Sequence, residues 1–205
     1  MWIAGYGQGI LCFDKYSSRL INTKNGLVNN FVRVVFPFKD KIYAGTLNGI
    51  SIISKDDFSI INPSFIQNPN YDFSVSSFFE INDKVYVTTI NDGLYVIEND
   101  ELIKVNDIKK IFSSYVWKGN IYLGTETELL IVDSEKFEII TKYQVPSVWQ
   151  FYPYKGKMCF ISSGIYDNDG GIYRLEDEKL VNRVVPLKVP FLDLSLIFSV
   201  ISRFL

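Results

Sequence analysis

One pattern recurs five times along the chain and constrains it more than any other feature. An apolar-aromatic-apolar run ends in Gly or Thr, a short loop follows, usually with Gly, and a second apolar run comes after it. The copies are Met1–Gly5 with Gly9–Phe13, Lys41–Thr46 with Gly49–Ile53, Lys84–Thr89 with Gly93–Ile97, Asn120–Thr125 with Leu129–Val132, and, most weakly, Lys157–Ile161 with Gly171–Leu175. Equivalent positions Trp2, Tyr43, Tyr86, Tyr122 and Cys159 are separated by steps of about 36 to 43 residues, the span of one four-stranded repeat. A two-residue turn precedes every copy from the second onward: Lys39-Asp40, Asn82-Asp83, Lys118-Gly119 and Lys155-Gly156. Before each turn stands another β-branched and aromatic run, so the pair reads as a tight hairpin.

The repeating unit is therefore four strands. Strand A is predicted at Val32–Pro37, Val75–Ile81, Ile111–Trp117 and Val148–Tyr154, and B and C are the copies above. Strand D is predicted at Phe58–Ile61, Glu101–Val105, Phe137–Thr141 and Lys179–Val184. Helical signals are nearly absent. The expected fold is all-β, a β-propeller of four-stranded antiparallel blades with about five blades or a partial arc of a larger ring. All of residues 1–205 is read as one domain, with repeats starting near 1, 41, 84, 120 and 157. The chain opens in a B strand, and the apolar run Leu192–Phe198 falls where a further A strand is due. That phase allows the last strand to complete the first blade and close a ring of five; an arc cut from a larger ring fits it equally.

Composition removes several functions. The chain has no His, so His-based acid-base chemistry, His-activated nucleophiles and most zinc sites are excluded within it. Lys and Arg number 21 against 23 Asp and Glu, a formal charge of -2, which lacks the basic footprint of a nucleic-acid binder. Cys12 and Cys159 lie in apolar surroundings and are expected to be free, buried thiols. No secretory signal is visible at Met1–Gly7, and the apolar tail 191–205 is short for a membrane span and carries Asp193 and Arg203.

The run Asn22 to Val32, followed by Ile42-Tyr43-Ala44-Gly45-Thr46-Leu47-Asn48-Gly49-Ile50, resembles the two-component regulator propeller repeat. The match is good over residues 1–60 and partial in later blades. Thr88 stands where the family has a strand-B Gly, Glu128 where a Gly opens strand C, and Ile161-Ser162-Ser163 ends the fifth copy. The resemblance implies a periplasmic sensor module of a bacterial hybrid histidine kinase that detects glycans or their breakdown products. It implies no enzyme, no cofactor and no metal, and none of the kinase parts is present in this sequence.

Loop lengths point to one end of the blades. The A–B turns are tight, whereas Pro63–Phe73 and Ser163–Gly171 are long and sit at the opposite end. Tyr6, Asn70, Tyr71, Trp149, Tyr166 and Asn168 supply rings and amides suited to a sugar, Asp167 lies in the same loop, and Arg33 could meet an anion, snorkel to the rim or pair with a neighbouring carboxylate. The same loops also read as solvated turns rich in Asn, Asp and Gly for conformational reasons. The sequence 166–171 has the composition of a calcium loop without its ligand spacing and reads as a hairpin turn. Asp56-Asp57 and Glu126/Glu128 read as solvated charge, since nothing places a second carboxylate for glycoside cleavage. A homodimer or a partner protein also fits, with the apolar C-terminus as one contact surface. A propeller glycosidase or lyase is a weaker reading.

Overall fold

The computed structural model describes residues 1–63, 73–163, 170–176 and 179–184. They form five antiparallel sheets that follow one another along the chain. Blade 1 holds β1 (Trp2–Gly5), β2 (Gly9–Phe13) and β3 (Ser18–Ile21). Blade 2 holds β4 (Val32–Phe38), β5 (Lys41–Thr46), β6 (Gly49–Ser54) and β7 (Ile60–Ile61). Blade 3 holds β8 (Val75–Ile81), β9 (Lys84–Thr89), β10 (Leu94–Glu98) and β11 (Glu101–Asn106). Blade 4 holds β12 (Ile111–Trp117), β13 (Asn120–Thr125), β14 (Glu128–Asp133) and β15 (Ile139–Gln144), and blade 5 holds β16 (Val148–Tyr154), β17 (Lys157–Ser162), β18 (Gly171–Glu176) and β19 (Lys179–Val184). Each strand pairs with the next in sequence, and the first strands of successive blades, β4, β8, β12 and β16, lie against one another around the inner side. This is the blade architecture of a β-propeller.

The strands expected from the repeat are present, with two corrections in strand D. The chain turns at Phe58 (φ 61°) and Phe137 (φ 57°), so β7 begins at Ile60 and β15 at Ile139. Each Phe N–H donates back across its turn, to the carbonyl of Ser54 or Asp133. Each ring then reaches the preceding blade: Phe58 lies 5.9 Å from Trp2, and Phe137 lies 5.2 Å from Tyr86. Packing against the neighbouring blade accounts for an aromatic residue holding a left-handed conformation. The three strands of blade 1 match the predicted phase; the run Leu192–Phe198, expected to complete that blade, lies outside the described residues.

Cores form between blades. One apolar cluster joins blades 1 and 2 around Ile10, Val32 and Ile42, and the next joins blades 2 and 3 around Ile52, Val75 and Val87. Clusters around Leu94, Ile111 and Ile121 and around Leu129, Val148 and Phe160 join blades 3 to 4 and 4 to 5. Strands B and C are thus covered on both faces, which explains their near-continuous apolar sequence, while β15 is largely exposed. Cys159 is buried as expected, whereas Cys12 is only half-buried, because β2 becomes more exposed toward its C-terminal end.

The Thr of the repeat folds the B–C turn: the hydroxyls of Thr46, Thr89 and Thr125 each donate to a carbonyl, at Gly49, Gly93 and Glu128, over 2.9 Å. The turn is then stitched to the chain entering the next blade. Gly7 and Gly9 N–H donate to Asn30 O, Gly49 N–H to Phe73 O, Lys110 N–H to Ile90 O and Ser147 N–H to Glu126 O.

The Asp residues of the outer turns are fasteners. Asp57 accepts from the backbone and hydroxyl of Ser59, which holds its carboxyl down at about 2, against an ordinary 3.8. Asp133 is lowered by the N–H groups of Lys136 and Glu135, and Asp14 by the hydroxyl of Ser17 and the N–H groups of Tyr16 and Ser17. A depressed folded pKa adds stability above the unfolded value and loses it as pH falls through the folded one. These turns should therefore loosen between about pH 4 and pH 2, with Asp57 titrating last. Carboxyl NMR shifts followed through acid would show this, and a midpoint near 4 for Asp57 would contradict the turn geometry.

Candidate ligand site at the mouth of the inner strands

Every complete inner strand carries a β-bulge at its second residue. The register slips between Val32 and Val34, Val75 and Ser77, Ile111 and Ser113, and Val148 and Gln150. Arg33, Ser76, Phe112 and Trp149 are therefore released from the ladder. A bulge re-aims a side chain, and its repetition in four consecutive blades puts four re-aimed residues at one end of the inner strands, the end that bears the B–C and D–A loops.

Two of them make a platform. The rings of Phe112 and Trp149 stack with centroids 4.6 Å apart and planes 8° from parallel. Trp149 is 40% exposed, and its Nε1–H donates to Ser163 Oγ at 2.5 Å, which fixes the ring. At the other side of the mouth Tyr6 forms a β-bridge with Phe31, and their rings meet edge to face at 5.1 Å. Both rings are exposed.

Between the two aromatic pairs lies a run of hydroxyls. Thr88 Oγ1 is 2.8 Å from Ser76 Oγ and 2.6 Å from Ser77 Oγ, and Ser77 Oγ is 2.6 Å from Ser114 Oγ in the next blade. Thr88 is the residue that departs from the strand-B Gly of the repeat. Its hydroxyl is satisfied by small serines where blade 2 has Val34 opposite Gly45.

Arg33 is exposed beside Val32 and donates from Nη1 to Ser74 Oγ at 3.4 Å. No carboxylate among the described residues forms an ion pair with it.

Of the residues singled out from sequence, Tyr6, Arg33 and Trp149 lie at this end of the blades, in blades 1, 2 and 5. Asn70, Tyr71, Tyr166, Asp167 and Asn168 lie outside the described residues. Sequence reasoning missed Phe31, Ser76 and Phe112. The signal for Ser76 and Phe112 was the second position of strand A, which changes from Arg to Ser to Phe to Trp while the first position stays Val or Ile; Phe31, just before β4, had none. Asp56-Asp57 sit in a turn at the opposite end, and Glu128 accepts from Gln144 Nε2 at 2.6 Å. Among the described residues no group of three His, Cys, Asp or Glu could hold a metal.

A cleft of about 350 Å³ opens at the tight-turn end, between blades 2 and 3. Its floor includes Phe38, Tyr43 and Ile97, and its rim charges are already paired, Lys84 with Glu98 at 2.5 Å and Lys39 with Asp83 at 3.2 Å. Burial pushes the Tyr43 hydroxyl above its ordinary pKa, so it stays protonated.

The fold and the mouth define a β-propeller whose accessible features are a rigid scaffold and an end lined by aromatic and hydroxyl groups. No protein-family model matches the chain, and no curated protein sequence does. Solved structures do match. The extracellular domain of BT3049, a proposed hybrid two-component system of B. thetaiotaomicron, superposes with a TM-score of 0.70 at 15% identity, covering 90% of this chain and 27% of that one. The extracellular domain of BT4673, a second such system from that organism, gives 0.56 at 15% identity over 92% of this chain and 32% of that one. The Pan2 WD40 domain of Neurospora crassa gives 0.65 at 11% identity over 88% and 60%. At these identities the likeness carries the propeller fold, and the chain spans about a third or less of the two extracellular domains it matches.

Proposed function

We propose that this chain is a non-enzymatic ligand-sensing propeller, an extracytoplasmic part of a bacterial two-component regulator, and that it recognises a carbohydrate at the mouth of its inner strands. The observation that carries this reading is the stack of exposed Trp149 on half-buried Phe112, set on bulges and braced by Ser163. A flat aromatic face packs on the apolar face of a pyranose, and neighbouring hydroxyls and the exposed Gln150 amide supply hydrogen bonds. Extracellular sensor domains among the similar folds, and the repeat resemblance over residues 1–60, support the compartment and the sensing role.

Calorimetric titration with xylobiose, mannobiose, N-acetyllactosamine and trigalacturonic acid tests it. At least one sugar should bind, and Trp149→Ala should weaken that sugar by about tenfold, the size of one good aromatic contact. Failure of the whole panel, or full affinity in Trp149→Ala, would overturn the carbohydrate reading.

A second reading, a protein-interaction propeller, is favoured by one feature. The face of blade 1 turned away from blade 2 carries Ile3, paired with Leu11, which is paired in turn with Leu20; Ile3 is 43% and Leu20 46% exposed. Concentration-dependent sedimentation would reveal a homodimer formed there, and Leu20→Lys should disperse it.

A further inference from the structure

We infer that the mouth takes an acidic carbohydrate, held with a negative group at Arg33 and a sugar ring on Trp149; this rests on the carbohydrate reading above. The four bulge residues are not alike. In blades 4 and 5 they are the stacked rings Phe112 and Trp149, and in blades 2 and 3 they are Arg33 and Ser76. The mouth is thus polarised along the order of the inner strands, from an apolar platform through hydroxyls to a cation.

Arg33 is equipped to receive an anion. The residue is exposed, its one hydrogen bond among the described residues is the long donation to buried Ser74 Oγ, and no described carboxylate neutralises it. Most of its donors are left for a ligand, and a guanidinium matches the two oxygens of a carboxylate or sulfate in one plane. The second aromatic pair stands beside it: Phe31 lies two residues before Arg33, and Tyr6 packs on Phe31. A charged sugar bound to Arg33 would therefore have a ring surface of its own.

Arg33 and Trp149 stand at the same end of β4 and β16, with β8 and β12 between them along the arc of inner strands. The described ion pairs at this end of the blades join Asp92 and Asp107 to Lys104 at 3.4 and 2.6 Å and Glu128 to Lys142 at 3.7 Å, and none of them involves Arg33.

The test compares one chain in two charge states: trigalacturonic acid and its fully methyl-esterified form, titrated against the wild-type protein, Arg33→Gln and Trp149→Ala. The acid should bind wild type about tenfold more tightly than the ester, with the difference shrinking as salt is raised. Arg33→Gln should bring the two ligands to equal affinity, and Trp149→Ala should weaken both by a similar factor. Equal binding of acid and ester to wild type, or an unchanged preference in Arg33→Gln, would overturn the acidic assignment while leaving the carbohydrate reading intact. Failure of acid and ester alike, while a neutral sugar binds in a Trp149-dependent way, would also overturn it. Failure of every sugar would remove both. Circular dichroism of each variant separates lost binding from lost folding.

Discussion

Truncating Phe160 to alanine should lower stability by about 3–5 kcal/mol, the cost of deleting a large ring from a core that cannot collapse around the gap. Phe160 is fully buried on β17, stacked on Tyr173 at 5.3 Å and tilted against Phe151 at 6.0 Å. Tyr122 of blade 4 reaches the same cluster and lies 6.2 Å from Phe151, so this ring helps fasten two blades. Urea denaturation measures the loss. Repeating blades are stabilised chiefly by their neighbours, so blade 5 should open before the rest in this variant, and hydrogen exchange should show β16 to β18 losing protection first. A change below about 1 kcal/mol would mean that this interface is not what holds blade 5.

The second large effect is expected at Gly45, where the direction is overpacking. A Cβ built there would sit 2.3 Å from Val75 Cγ1 in blade 3 and 2.8 Å from Val34 Cγ1 in its own blade. Both obstacles are stiff β-branched side chains at the inner end of a buried strand, so relief requires the blades to separate. Gly45→Val should cost about 1–3 kcal/mol, seen as a lowered Tm. Even Gly45→Ala should destabilise, and Val75→Ala combined with it should recover part of the loss, since the obstacle is then shortened. Additive losses in that double variant would show that the two residues do not meet. Blade 3 makes the comparison internally: Thr88 occupies the place of Gly45, and the residue opposite it is Ser77, not a valine.

Most of the blade architecture was legible because its causes are local. Two-residue turns such as Asn82-Asp83 and Lys118-Gly119, all at positive φ, set hairpin register directly. Strands buried on both faces must be apolar throughout, so Lys41–Thr46 and Asn120–Thr125 announced themselves. The ends of strand D were less legible. Phe58 and Phe137 look like strand residues, yet each is drawn into a turn by an aromatic ring of the neighbouring blade.

The site divides in the same way. Tyr6, Arg33 and Trp149 stood out as residues that an apolar strand or a Gly-rich turn does not require. The repeat and its turns thus determined the all-β class, the strand order and the end of the blades where variation concentrates, because alternation and turn chemistry act over a few residues. Only the tertiary structure decided that residues from blades 2 through 5 share one mouth. A bulge at the second position of strand A carries no signature of its own, and the stack of Phe112 on Trp149 exists only once two blades, with 36 residues between those rings in sequence, have packed face to face.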